Sequence, residues 1–176
     1  MKLFLFSLLA TASLAAVAEV AVPQYEGFSI TPPEGWVVWA GHQAPDHALW
    51  GKIDRDNIRH TTLADVRISP PGAAKITLAN LQSAMEQKLK QPSPPRMKDF
   101  QFELTTGFRR GTPTLEVRTQ CLDTGVTPAA KLYTYGFILI TPDKRIFSAT
   151  ISERSAQPNF QFNEAEAVKF LDGISW

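Results

Sequence analysis

Residues 131–141, Lys-Leu-Tyr-Thr-Tyr-Gly-Phe-Ile-Leu-Ile-Thr, constrain the fold of this chain more than any other stretch. Successive side chains of an extended strand point to opposite faces. Here both faces are apolar, with Tyr133, Tyr135, Phe137 and Leu139 on one and Leu132, Ile138 and Ile140 on the other. A strand of that kind belongs in the middle of a sheet covered on both sides. Thr141-Pro142-Asp143-Lys144 then reads as a β-turn, because the fixed φ of proline suits the second turn position. Arg145 to Ser152 returns antiparallel, with Phe147, Ala149 and Ile151 turned inward.

The same alternation predicts strands over Tyr25–Thr31, Trp36–Trp39, Ala48–Ile53 and Thr61–Ser69. Pro32-Pro33-Glu34-Gly35 and Pro70-Pro71-Gly72 punctuate them, since proline has no N–H for a ladder. Asp99–Thr106 and Thr112–Leu122 read as a strand pair joined through Gly107-Phe108-Arg109-Arg110-Gly111. Two helices stand out. Over 78–90, Leu78, Leu81, Met85 and Leu89 recur at helical spacing behind Thr77 as N-cap, with Ile76 and Leu81 placed as a hydrophobic staple. Over 164–172, Asn163 can cap the first turn, Glu166 sits at capping-box spacing, and Gly173 is a natural stop. The fold class is therefore α+β, an antiparallel β-sheet with flanking α-helices, in one domain.

The chain starts as an exported protein does. Met1-Lys2 is a short positive start, Leu3–Leu14 an apolar run and Ala16-Val17-Ala18 a small-residue processing site. That predicts a signal peptide over 1–18 and a single domain over 19–176, located in the bacterial periplasm. No cysteine follows the processing site that could carry a lipid, so a soluble product without a membrane anchor is expected. Without Lys2, the 18 basic and 17 acidic residues come to an even balance, which gives no long-range pull toward nucleic acid. A domain of this size buries roughly 68–70% of its unfolded surface and needs no covalent staples. Cys121, the only cysteine, shares a strand face with Leu115 and Val117 and is expected to be a buried, inert thiol.

The element order, opening with Gly27-Phe28-Ser29-Ile30-Thr31-Pro32-Pro33-Glu34-Gly35-Trp36, resembles the PsbP-like family, which includes the bacterial DcrB-like proteins. The aromatic-rich strand ending in Pro-x-Gly-Trp, the Thr-Leu-led helix, the meander and the final helix carry the resemblance across most of residues 25–176. It implies an α/β/α sandwich and an accessory, chaperone or partner-binding role without catalysis. No functional residue of the family can be carried over to a position in this chain.

Chemistry-bearing motifs are sparse. There is no Gly-x-Ser-x-Gly elbow and no carboxylate pair placed for glycoside hydrolysis. His42, Asp46, His47, Asp54, Asp56 and His60 gather metal-ligand types in an irregular stretch. His42 and His47, however, lack the i, i+4 spacing that would aim a helix pair at one ion. No enzyme activity, cofactor or metal site is expected. Tryptophan is enriched at interface hot spots, so Trp39, His42, His47 and Trp50 are the candidate partner-binding residues. The reading is an exported accessory factor that binds another protein or an envelope component, such as an immunity or envelope-assembly factor. The alternative is a small-ligand or metal-binding module using residues 42–60.

Overall fold

The computed structural model describes residues 24–39, 43–53 and 61–176. The signal-peptide stretch and His42, Asp54, Asp56 and His60 lie outside the described residues. Strands β1 (Ser29–Ile30), β2 (Trp36–Val38), β3 (His47–Ile53) and β4 (Thr61–Ile68) precede helix α1 (Leu78–Leu89). Then come β5 (Met97–Arg109), β6 (Thr112–Asp123), β7 (Ala130–Ile140), β8 (Ile146–Ser155), helix α2 (Glu164–Asp172) and β9 (Ile174–Ser175). Among the described residues, β2 to β8 form a seven-stranded sheet in the order β2-β3-β4-β8-β7-β6-β5, antiparallel throughout. The doubly apolar strand predicted over 131–141 is β7, flanked by β8 and β6 as its side chains require.

One sheet face holds the core. Register brings Trp36, Trp50, Ala64, Val66, Ile151, Phe137 and Leu139 onto it, and α2 covers it with Ala167, Phe170 and Leu171. Each fully buried phenylalanine, as at 137, 147 and 170, contributes about 1.5–3 kcal/mol. Trp176 closes one end, its ring 5.4 Å from Phe137 and 5.5 Å from Phe147. The predicted first strand shrinks to β1, which pairs with β9 through Ser29–Ser175 and Ile30–Ile174. Gly173 joins them because a Cβ there would lie 2.2 Å from the Thr31 carbonyl oxygen. Its φ of −76° is one that any residue adopts, so contact and not backbone freedom demands the glycine.

The helices differ in how far they are integrated. α2 is capped as its sequence suggests, with Asn163 Oδ1 accepting from the Glu166 N–H at 3.2 Å. The reciprocal half is altered: the Asn163 N–H donates to Glu153 at 3.1 Å, and Glu166 accepts from the Asn163 side-chain amide at 3.3 Å. α1 also has its cap, Thr77 accepting from the Asn80 N–H at 3.2 Å. It rests against β5 and β6 with none of its residues buried. Ile76 stays exposed, although it was expected to pack as a staple.

The 107–111 connection is tighter than its sequence suggests. Gly107 pairs with Thr114 and Phe108 with Pro113, so only Arg110 and Gly111 form the loop. Both have positive φ, 49° and 77°, as a type I′ hairpin turn requires.

Two predictions follow from this packing. At Gly136 an added Cβ would sit 2.2 Å from the Ala149 carbonyl oxygen and 2.7 Å from Thr150 Cα. Backbone cannot yield as a side-chain tip can, so Gly136→Ala should cost about 3 kcal/mol or more, read as a lowered urea midpoint. Cys121 is buried, and burial, helped by the Asp123 charge, pushes its thiol above the ordinary range. The folded chain should therefore alkylate far more slowly than the urea-unfolded chain at mildly alkaline pH. The sign for stability is that the contribution of the protonated thiol is complete below the unfolded pKa. It is lost as pH rises through the folded one.

Candidate functional site

The four candidate partner-binding residues do not converge. Cross-strand partners share a face, and Trp50 pairs with Ala64 and Val38 on the core side. There it is 5% exposed, within the buried cluster. Trp39 lies on the opposite face, its ring so close over Gly51 that a Cβ there would be 2.6 Å away. His47, also opposite the core, has Nε2 3.3 Å from Asp65 Oδ1. Asp65 is itself held by two 2.7 Å bonds from Arg67. A single rim containing both tryptophans is ruled out by strand alternation: position 50 points inward with Ala48, whereas Trp39 covers the outward-facing Gly51. His42 is outside the described residues. Among the described residues, no three His, Cys, Asp or Glu side chains come together to hold a metal ion.

A different site emerges where the core face runs out of helix. α2 packs over β7 and β8, leaving the β5–β6 side of the same face open. The side chains there turn polar. One cross-strand row reads Gln101–Gln120–Tyr133, and the next reads Glu103–Arg118–Tyr135. With Phe162 and Glu164 from the approach to α2, these rows line a groove of about 370 Å³. Tyr133 and Phe162 stack at one end, ring centroids 6.1 Å apart. The Gln120 side-chain amide donates to Gln101.

Arg118 is the pivot of the groove. Its guanidinium lies 4.8 Å from the centre of the Tyr135 ring and donates to Glu164 at 2.9 Å, with Glu116 3.9 Å away. Its hydrogen bond to the Glu164 carboxylate holds its pKa above the ordinary value. Tyr135 accepts from Arg109 at 3.0 Å and donates to Glu116 at 3.4 Å. Burial, reinforced by the Glu116 carboxylate, raises its phenol pKa, so it stays a neutral hydrogen-bonding group.

Beyond Tyr135 the hairpin grips the end of α2. Arg109 reaches the Asp172 carboxylate at 3.0 Å and lies 4.7 Å over Phe137. Arg110 donates to the Asp172 carbonyl at 2.8 Å and to Ser175 at 2.9 Å. Cations there face the negative end of the helix dipole. The arrangement offers an aromatic floor, one half-exposed arginine and planar amides. It has the equipment for binding, with no nucleophile set beside a base. Arg118 and Glu103 lie on separate strands, and only the register brings them onto one face beside Tyr135.

No family model matches the sequence, and no curated protein is significantly similar to it. Solved structures do share its fold. One is LpqN, involved in cell envelope biogenesis of Mycobacterium tuberculosis, 10% identical, with a TM-score of 0.55 over 84% of this chain and 82% of that one. Another is cyanobacterial PsbP (CyanoP) from Synechocystis sp. PCC 6803, 13% identical, with a TM-score of 0.50 over 93% and 97%. The chain has a PsbP-like fold, built mostly of antiparallel sheet with two helices among the described residues.

The seat of Trp39 over Gly51 carries its own test. Gly51→Ala should lift the indole from the sheet, red-shifting and quenching tryptophan emission while costing about 1–3 kcal/mol of stability. An unchanged emission spectrum would mean that Trp39 does not lie there.

Proposed function

We propose that this chain is an exported, non-catalytic accessory protein of the bacterial periplasm that works by holding a partner protein of the envelope. The observation that carries this reading is the groove beside α2, an open, aromatic-floored recess on an otherwise packed face. Concave sites with an apolar lining and a few fixed polar groups are where small molecules bind, and the same lining can seat an anchor side chain of a partner. Tyrosine and arginine are the residues most able to anchor a partner there. The leader-like residues 1–18 support export, with residues 19–176 forming one domain. No described helix is long and apolar enough to cross a membrane. A structural relative involved in cell envelope biogenesis fits that setting.

The groove, with Arg118 at its centre, is the principal binding surface in this reading. Trp39 and His47 supply a second, smaller contact on the other face, and Trp50 supports the sheet from within. Arg118 is 38% exposed, and its pairing with Glu164 crosses open surface. Such pairs are worth at most about 1 kcal/mol, so removing the charge while keeping a polar side chain of similar reach should disable binding with little effect on the fold.

The test uses the full chain expressed with its leader. Recovered from the periplasmic fraction, it should begin at Glu19. A photo-crosslinking side chain at Gln120, in the groove on the inner strand β6, should give a discrete adduct with another protein that the same probe at Lys88 on α1 does not. Arg118→Gln should abolish that adduct with the melting temperature little changed. Equal adducts at both positions, or an adduct indifferent to Arg118→Gln, would remove the groove from the function.

A further inference from the structure

We infer that the chain self-associates through the free edge of β5 into a closed two-fold dimer, making one sheet continuous across two copies. β5 is the terminal strand of the sheet, and no described strand pairs with its outer side. Which backbone groups it offers follows from the hairpin turn. In a two-residue type I′ connection the flanking residues, here Arg109 and Thr112, exchange both hydrogen bonds. Alternation then commits Gln101, Glu103, Thr105 and Gly107 to β6. The N–H and C=O groups of Phe102, Leu104, Thr106 and Phe108 point outward to the edge.

An edge of this length is normally blunted by lysine, proline, a bulge or a covering element. β5 has one such device, the register shift between Lys98 and Gln101, where Asp99 takes a φ of 54°. It protects only the beginning of the strand. From 101 to 109 the edge has no proline, and its outward-pairing residues carry no charge. Phe108, 76% exposed, stands at its end.

A second copy fits this edge better than an arbitrary strand because the edge complements itself. The bulge and the turn bound the regular segment at Gln101 and Arg109, and two such segments overlap fully only with Thr105 on the two-fold axis. That register sets Phe102 against Phe108 of the other copy and Leu104 against Thr106, giving the exposed aromatic ring an aromatic partner. On the other face Gln101 meets Arg109, Glu103 meets Gly107, and Glu103 lies diagonal to Arg109. No like charges oppose one another. A register centred on Glu103 would instead put two carboxylates together, at a cost. The isologous contact consumes both long edges and stops at two.

Sedimentation of the full mature chain over a wide concentration range tests this. The expected result is a reversible monomer–dimer equilibrium. Thr106→Pro removes an outward N–H that the monomer does not use, and Leu104→Lys places charge in the seam. Each should weaken the dimer at least tenfold, with an unchanged circular dichroism spectrum. A cysteine at Thr105, in a Cys121→Ser background, sits on the axis within disulfide distance of its copy. Under mild oxidation it should cross-link much faster than one at Gln101. A chain that is monomeric at every concentration, including one that binds an added extended peptide along the edge instead, overturns the inference. So does a dimer that survives both substitutions, or cross-linking no faster at 105 than at 101.

Discussion

Removal of one sheet face from water organises this molecule. From β2 across to β7 most of the inward residues are aromatic or aliphatic, and burying apolar surface is the largest favourable term a domain of this size has. With a lone cysteine and no disulfide, nothing covalent supplements it. The other features serve that face: α2 covers it, Trp176 seals its end, and Arg109 and Arg110 fasten the covering helix at its C-terminus. Lys52, on the same face, ties to Glu166 at 2.5 Å near the other end of α2.

Coverage is not uniform, and function is argued from where it stops. A nine-residue helix is about 13.5 Å long, too short to roof a seven-stranded sheet. The strands beyond its reach change composition accordingly. Glu116, Arg118 and Gln120 replace the aliphatic residues of β8 and β4, so the uncovered part is wettable. The result is a recess with aromatic walls inherited from the core and polar groups suited to solvent. The fold by itself does not prescribe what occupies such a recess.

What could be read from the sequence was whatever is local. The alternation of Ala64-Asp65-Val66-Arg67-Ile68 and the Asn163 cap depend on neighbours a few residues away, and both appear in the structure. Pairings distant in sequence were not legible. β9 is two residues long, and only its contact with β1 gives it strand character. Helical spacing in α1 identified its apolar stripe but not how shallowly the stripe would be buried. The groove has no local sequence signal, because Glu103, Arg118, Tyr135 and Glu164 come from four separate elements. Grouping Trp39 with Trp50 followed proximity along the chain, whereas the two-residue period of β3 and its register with β2 send them to opposite faces. Gly173 was read as a helix stop and is one, though for a tertiary reason: the Thr31 backbone leaves no room for a side chain.

The strand order also governs when this protein can fold. β4 is hydrogen-bonded to β8, so the β2-β3-β4 meander has no neighbour on its inner edge until residues 146–155 are available. β1 must wait longer still, for residues after α2. Closing such distant pairs is slow, because the intervening chain must first be confined. An emerging chain therefore has no finished core until almost all of it is present. A topology in which the first strands cannot settle before the last ones arrive makes the end of the chain the trigger for the whole fold.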